Sequence, residues 1–331
     1  MVKGIQNPTR GLFTRYYLLK MLKDKLPDKG NQYDTESSTI KDTLQFILQN
    51  LEEMNRLWIR LSTGTSGNER ILREKERTEL KILVGENIVR LSSLEGLNLD
   101  MYKDEILPKI INILLESKDQ QSQQYLMECL IHAFPDEYNI TCMQTILDTM
   151  TELNSTVDVK SLLISLMDKI ARYVGEQGKD NENVVEQAEK IFDQLKTSID
   201  KLTEQGIATE STGYEPIKLI ELQVALMKFT VKCCPAQEKL STINHIFEAS
   251  LQILNSYGKK LNQEGINLLR SLLSVPLESE LSLFEFKNFP ELMVFLDFSS
   301  RTTLAIRIIE SLNNKERLDS TEKINILLGY I

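Results

Sequence analysis

The chain has 331 residues, of which 41% are hydrophobic and 26% are charged, a balance that excludes a disordered chain. The formal net charge of −9 argues against nucleic acid or anionic lipid as a direct partner. No apolar run approaches about 18 residues, so we expect no transmembrane span and only indirect contact with a membrane. The start of the chain has no apolar core of a secretory signal, which indicates a cytoplasmic protein.

The first predicted helix begins at Asn7 and runs toward Lys25. Asn7 is a good N-cap residue, and Pro8 suits the first helical position because its missing N–H would have no partner there. Scarce glycine and proline, with abundant Leu, Ile, Glu and Lys, favour helix through most of the chain. The sequence therefore predicts an all-α fold.

Guanidinium and aromatic side chains are concentrated on the first helix, a composition typical of interface hot spots. One interpretation is that Phe13 and Tyr17 pack onto the next hairpin while the arginines bind carboxylates or helix carbonyls. The other is that the cluster binds a partner protein. For that interpretation, the candidate partner-binding residues are Arg10, Arg15 and Tyr16.

A polar linker over residues 27–39 precedes an apolar stripe of helical spacing that runs from Ile40 to Leu61. Trp58 lies on this stripe, which predicts a place in the core. A turn over residues 63–68 follows. Ser66 lies within this turn and Glu69 follows it, and the two have the spacing of a capping box for the next helix.

The third helix is predicted over residues 73–96, with a charged first half and an apolar second half. Ile82 and Val89 add a second apolar flank beside the main stripe, so two faces of this helix should have neighbours. Gly85 costs about 1 kcal/mol in a helix, which suggests that another helix presses close there. Gly96 is expected to end the helix as its C′ residue.

The basic residues between 70 and 81 alternate with glutamates, which predicts an exposed, ion-paired helix face and not a nucleic-acid site. About fourteen helical stretches are expected in all. The later ones are predicted over residues 101–116, 119–134, 141–153, 157–174, 184–203, 216–233, 237–257, 263–273, 279–287, 290–297, 299–312 and 320–330.

Helix pairs recur at a period of roughly 35 to 45 residues, as in HEAT-like α-solenoids of antiparallel helix hairpins. We expect residues 1–331 to form a single continuous α-solenoid segment, with loops near 27–39, 63–68, 175–183 and 204–215. The chain starts almost directly in an aromatic-rich helix and ends on an apolar one, whereas such an array needs terminal capping repeats. We therefore expect it to be a fragment of a longer chain.

No catalytic arrangement is evident in the sequence. His132 and His245 are the two histidines, catalytic and phosphate-loop motifs are missing, and no carboxylate pair lies on an apolar stripe. Cysteine spacing favours buried thiols over a disulfide or a zinc site. We expect no catalytic residue, cofactor or metal. An all-α enzyme remains an alternative, and so does another HEAT-repeat scaffold such as a transport receptor or a phosphatase regulatory subunit.

Four stretches of the sequence resemble motifs of one family, and they occur in the same order as in that family. It is the family of the retromer coat's large α-solenoid subunit, vacuolar protein sorting-associated protein 35. Residues 6–19 are similar to its QNPLRGLFLRxYLL, and residues 53–58 to its EMNxLW. Residues 73–96 match RExERxELxILVGxNxVRLSxLEG, and residues 125–137 are similar to YLMEC followed by FPDE. The resemblance is clearest over about residues 5 to 140 and weaker beyond.

The resemblance implies a non-catalytic scaffold that bridges an arrestin-like subunit and a metallophosphoesterase-like subunit. It also implies sorting nexins and a Rab GTPase as partners, on the cytosolic face of endosomes, for retrieval of cargo to the Golgi or plasma membrane. The family's P-R-L-Y-L-L motif, tied to the arrestin-like subunit, is not among these residues. The site of the C-terminal partner is likewise expected outside them.

Overall fold

In a computed structural model of this protein, the regular structure of the described residues is helical. The structure describes residue 5 and residues 7–36, 38–61, 67–177, 190–202, 216–234, 236–257, 261–279 and 281–315, and no strand lies within them. A single antiparallel bridge joins Thr35 and Ser38 in the linker after the first helix. The chain divides into two units, residues 1–162 and 163–331, and the boundary falls inside helix α8.

Most of the predicted stretches contain a helix, but a helix over 136–141 was not predicted, and some ends differ from the prediction by several residues. The first unit contains α1 Pro8–Met21, α2 Ile40–Arg60, α3 Gly67–Ser92, α4 Leu107–Ser117, α5 Gln120–Ala133, α6 Asp136–Thr141 and α7 Met143–Thr151. Then follow α8 Val159–Gln177, α9 over residues 190–202, α10 Pro216–Cys233, α11 Ala236–Tyr257, α12 Gln263–Ser274, α13 Phe289–Met293 and α14 Phe298–Lys315.

In the first unit, neighbours along the chain pack antiparallel. The Nε1 of Trp58 in α2 donates to the carbonyl of Arg77 in α3 at 2.7 Å, whereas Asn50, earlier in α2, donates to Asn87, later in α3, at 2.8 Å. This is a helix hairpin, and the apolar stripe of α2 is buried within it, with Trp58 1% exposed. The predicted core position of Trp58 is confirmed.

Alternate helices run parallel and lie side by side. Thr9 of α1 bonds to Glu76 of α3 at 3.3 Å, and Lys20 bonds to Glu86 at 2.9 Å, so positions increase together along both helices. Between α3 and α5, Gln121 donates to Glu74 at 3.1 Å. One layer therefore holds α1, α3 and α5, and α2 and α4 lie in a second layer. This is the stacked-hairpin arrangement of the predicted all-α solenoid fold, which is confirmed.

A π-helical turn, Tyr102–Ile106, connects a short helical turn, Leu99–Met101, to α4. Tyr102 is fully buried there. Its ring centroid lies 4.7 Å from that of Phe134 and 5.2 Å from that of Tyr138. Burial also raises the pKa of the Tyr102 hydroxyl well above its usual value. The sequence predicts a continuous helix over 101–116, and the extra residue of the π turn is a feature that periodicity does not reveal.

The second unit is also built on helix packing around apolar side chains. Phe247 of α11 lies with its ring centroid 5.9 Å from that of Phe286 and 5.8 Å from that of Phe289. The predicted helix over 279–287 is wrong in this region. Its described residues contain only a 3₁₀ turn, Leu283–Glu285. An earlier 3₁₀ turn, Val275–Glu278, follows α12, because Pro276 has no N–H to continue the α-helical bonding.

Several local predictions for α1 and α3 need correction. Helix α1 ends at Met21, four residues before the predicted end. Helix α3 begins at Gly67 and ends at Ser92, so Gly96 is not its C′ residue. Gly96 instead donates its N–H to Asp28 at 3.0 Å and lies where a Cβ would be 2.7 Å from Ile40. Close approach, not a left-handed cap, requires glycine there.

The charged half of α3 is not uniformly exposed. Arg77 is 3% exposed and forms an ion pair with Asp119 of α5. Conversely, Ile82 and Val89, which were expected to have a neighbour, are exposed. The predicted capping box of Ser66, the first part of the helix over 184–203, the loop over 204–215 and the helix over 320–330 lie outside the described residues. So do residues 63–66 of the turn over 63–68 and residues 178–183 of the loop over 175–183.

Candidate partner-docking surface on the first helix

Helix α1 separates its side chains onto two faces. Its N-terminus forms as predicted: the Asn7 side chain accepts a bond from the Arg10 N–H at 3.0 Å, and Pro8 occupies the first turn. The buried face consists of Gly11, Leu12, Arg15 and Leu19. Gly11 touches α2, since a Cβ there would lie 2.9 Å from Leu57 Cδ1.

Arg15 belongs to the buried face, where it holds α1 to α2. Its guanidinium donates to Asn50 Oδ1 at 3.4 Å and to Glu53 Oε2 at 3.5 Å. Asn50 in turn bonds to Asn87 of α3. For this residue, the interpretation in which an arginine binds carboxylates of the neighbouring helix matches the geometry.

The opposite face of α1 is exposed and largely apolar. Phe13, Tyr17 and Met21, spaced four residues apart, are 51%, 65% and 52% exposed. They do not pack onto the next hairpin, so the packing interpretation fails for these aromatics. We call these three residues, with Arg10 and Tyr16, the α1 surface.

Charged groups border the α1 surface. Arg10 is exposed, and Tyr16 is half-buried with the Lys20 ammonium 5.4 Å from its ring centroid. Lys20 also pairs with Glu86 of α3 at 2.9 Å, and this hydrogen bond raises the pKa of the Lys20 ammonium. The surface is therefore an aromatic stripe with a basic margin.

The structure separates the three residues that the sequence proposes. Arg10 and Tyr16 lie at the α1 surface, whereas Arg15 is turned into the core. Sequence reasoning weighed Phe13 and Tyr17 but did not select them, and it missed Met21. The four-residue spacing of these side chains, opposite Leu12, Arg15 and Leu19, is the signal that separates them from the buried face.

No group of three or more His, Cys, Asp or Glu in the described ranges could hold a metal ion. Burial raises the pKa of the Cys129 thiol to about 11, although its hydrogen bond with Tyr125 opposes this shift. None of the helices in the described part is long and apolar enough to span a bilayer.

Comparison with known proteins gives one consistent family. The family model described as "Vacuolar protein sorting-associated protein 35" matches residues 1–331. The chain is 35% identical to vacuolar protein sorting-associated protein 35B of Arabidopsis thaliana over all of its length and 41% of that protein. It is 33% identical to the Dictyostelium discoideum protein 35 across 42% of that chain. A Schizosaccharomyces pombe relative is 35% identical over 59% of this chain and 23% of its own.

Proposed function

Because the chain belongs to the vacuolar protein sorting-associated protein 35 family, we propose that it is a section of the scaffold subunit of the retromer coat. The family is one of non-catalytic scaffold subunits, so this chain is not an enzyme. The chain spans about 41% of the length of the curated relatives it matches. Membership over all 331 residues also argues against an unrelated HEAT-repeat scaffold.

The proposal extends to the partners of the assembled coat. The scaffold joins an arrestin-like subunit to a metallophosphoesterase-like subunit, and it works with sorting nexins and a Rab GTPase. It acts at the cytosolic face of endosomes, in retrieval to the Golgi or plasma membrane, and reaches the membrane through these partners. The net charge of −9 supports indirect membrane contact, because anionic headgroups repel an acidic protein.

The α1 surface carries the proposal at the residue level. Exposed aromatic side chains and arginine supply most of the binding energy at protein interfaces. Phe13 and Tyr17 give an aromatic centre that is already ordered by the helix, and Arg10 gives a charged margin. We assign this surface to the arrestin-like subunit or to a sorting nexin bound with it.

The assignment is tested by calorimetry. The arrestin-like subunit is titrated into the intact protein, with and without a sorting nexin. Double substitution of Phe13→Ala and Tyr17→Ala should weaken binding by about tenfold or more, because truncating a hot-spot side chain costs about 2 kcal/mol or more and about 1.4 kcal/mol is tenfold in affinity. Arg10→Glu should weaken it to a smaller extent. Arg15→Glu is a poor probe, since this side chain holds α1 to α2.

Ile306→Ala in α14 is the matched control, because Ile306 is also an exposed apolar side chain of a helix. It should leave the affinity unchanged. Equal affinities for the double variant and the unmodified protein, with the same helical circular dichroism, would remove the α1 surface from the proposal.

A further inference from the structure

A groove lies between α2 and the segment formed by the π turn and α4, in the layer behind α1 and α3. Its volume is about 720 Å³, within the range of roughly 300–1,000 Å³ common for ligand pockets. Exposed Pro108 and half-buried Ile113 of α4 provide the accessible apolar lining, next to the buried Leu44 and Leu48 of α2. The groove is separate from the α1 surface and does not depend on the proposed function.

The rim of this groove is predominantly acidic. Four carboxylates, those of Glu52, Asp104, Glu105 and Glu116, face the ammonium groups of Lys41 and Lys109. Part of this charge is already neutralised within the protein. Lys41 pairs with Glu105 at 3.0 Å, and Glu52 pairs with Arg56.

Asp104 and Glu116 remain as acceptors for a ligand. Neither makes an ion pair with another residue of the described ranges, and both side chains are exposed. Asp104 belongs to the π turn, an irregularity that often occurs at functional sites. Among the described residues, the groove thus presents two carboxylates without an ion pair and one such lysine, Lys109, so its remaining charge is negative.

Carboxamides line the same groove. Gln45 and Gln49 lie one turn apart on α2, and Asn112 lies opposite on α4; all three are exposed. Each carboxamide offers both a donor and an acceptor. An extended peptide carries unpaired backbone N–H and C=O groups that need such partners, whereas a helix satisfies its own.

We propose that this groove binds a short extended peptide segment in which an apolar side chain is flanked by lysine or arginine residues. The apolar side chain contacts Pro108 and Ile113. Its basic neighbours pair with Asp104 and Glu116, and Gln49 and Asn112 hold its backbone. A helical ligand and an acidic peptide are the competing occupants, and the experiment separates them.

The test is fluorescence polarisation with a labelled synthetic peptide, Lys-Lys-Leu-Lys-Leu-Lys-Lys, and its twin in which glutamate replaces each lysine. The basic peptide should bind the intact protein with a Kd of about 100 μM or tighter, and more weakly as NaCl increases. Asp104→Lys with Glu116→Lys should weaken binding by about tenfold, because attraction becomes repulsion. Gln49→Ala with Asn112→Ala should also weaken it.

The control is Glu152→Lys with Glu310→Lys, which makes the same charge change at two exposed residues that do not line the groove. It should leave binding within about twofold. Equal loss in the control would mean that the peptide only senses net charge, which overturns the proposal. Three other results would also overturn the proposal. These are no binding of the basic peptide, equal binding of its glutamate twin, and equal binding of the same basic peptide when a hydrocarbon staple holds it as a helix.

Discussion

At the residue scale, Gly85 lies at the contact between the parallel helices α3 and α5. A Cβ at this position would lie 2.2 Å from Tyr125 Oη and 3.2 Å from Cys129 Sγ, so α3 and α5 approach closely only because the side chain is absent. Lys81, one turn earlier, places its ammonium 5.0 Å from the Tyr125 ring centroid. The helical cost of this glycine is offset by the packing of α5 against α3.

Gly85→Ala is expected to destabilise the protein by about 1–3 kcal/mol, since a forced overlap in a packed contact outweighs the gain in helix propensity. The measurement is the free energy of unfolding in urea, followed by circular dichroism. Adding Tyr125→Phe removes the nearest atom and should restore part of the loss.

The control for this substitution is Gly175→Ala near the end of α8, where no atom lies within 4 Å of an added Cβ. That change should be neutral or stabilising by up to about 1 kcal/mol. If both alanine substitutions stabilise equally, the close contact at Gly85 is not a real constraint on the sequence.

At the scale of elements, Arg77 joins three helices. Its carbonyl accepts the bond from Trp58 Nε1 of α2, and its guanidinium lies 4.9 Å from the Trp58 ring centroid. The same guanidinium pairs with Asp119, which caps α5 by accepting from the Ser122 N–H at 2.9 Å. The Ser122 hydroxyl returns to α2 by donating to Asn55 at 2.7 Å. These bonds set the register of α2, α3 and α5.

Arg77→Ala should cost about 2–4 kcal/mol, toward the lower end of values for breaking a buried ion pair, because Asp119 keeps some solvent access. Urea unfolding of the intact protein measures this loss. Arg73→Ala is the matched control one turn earlier on α3: Arg73 is 42% exposed and pairs with Glu76, so its loss should cost less than about 1 kcal/mol. Equal costs at the two positions would contradict the role assigned to Arg77.

At the scale of the whole molecule, the chain is organised into two units, each with its own packed helices. The hydrogen bonds that join α1, α2, α3 and α5 all lie within residues 1–162. In a helix-hairpin array, each hairpin is completed by its neighbours, so a set of several hairpins is the smallest stable piece.

A shortened chain of residues 1–177, which ends with α8, is therefore expected to fold by itself. It should give a helical circular dichroism spectrum and a cooperative urea transition, and Gly85→Ala should lower its midpoint. A shorter piece, residues 1–80, should be largely unfolded, because it lacks the half of α3 that covers the stripe of α2. A coil-like spectrum for residues 1–177 would contradict this organisation.

Local patterns in the sequence determined the helices themselves. Asn7 and Pro8 define the start of α1, the stripe from Ile40 to Leu61 defines the buried face of α2, and Gly85 indicates a close neighbour. These features depend on residues within a few turns of each other, which a linear pattern records directly. The ordered motifs likewise gave the family, which the match over residues 1–331 confirms.

Only the tertiary structure decided which polar and aromatic side chains are buried. Arg15 and Arg77 resemble their exposed neighbours in sequence, but each enters the core because a carboxylate from another helix meets it: Glu53 for Arg15, and Asp119, 42 positions away, for Arg77. Phe13 and Tyr17 stay exposed because α2 packs on the other face of α1. Burial of a charge or a ring depends on partners that are distant along the chain, and helical periodicity carries no information about them.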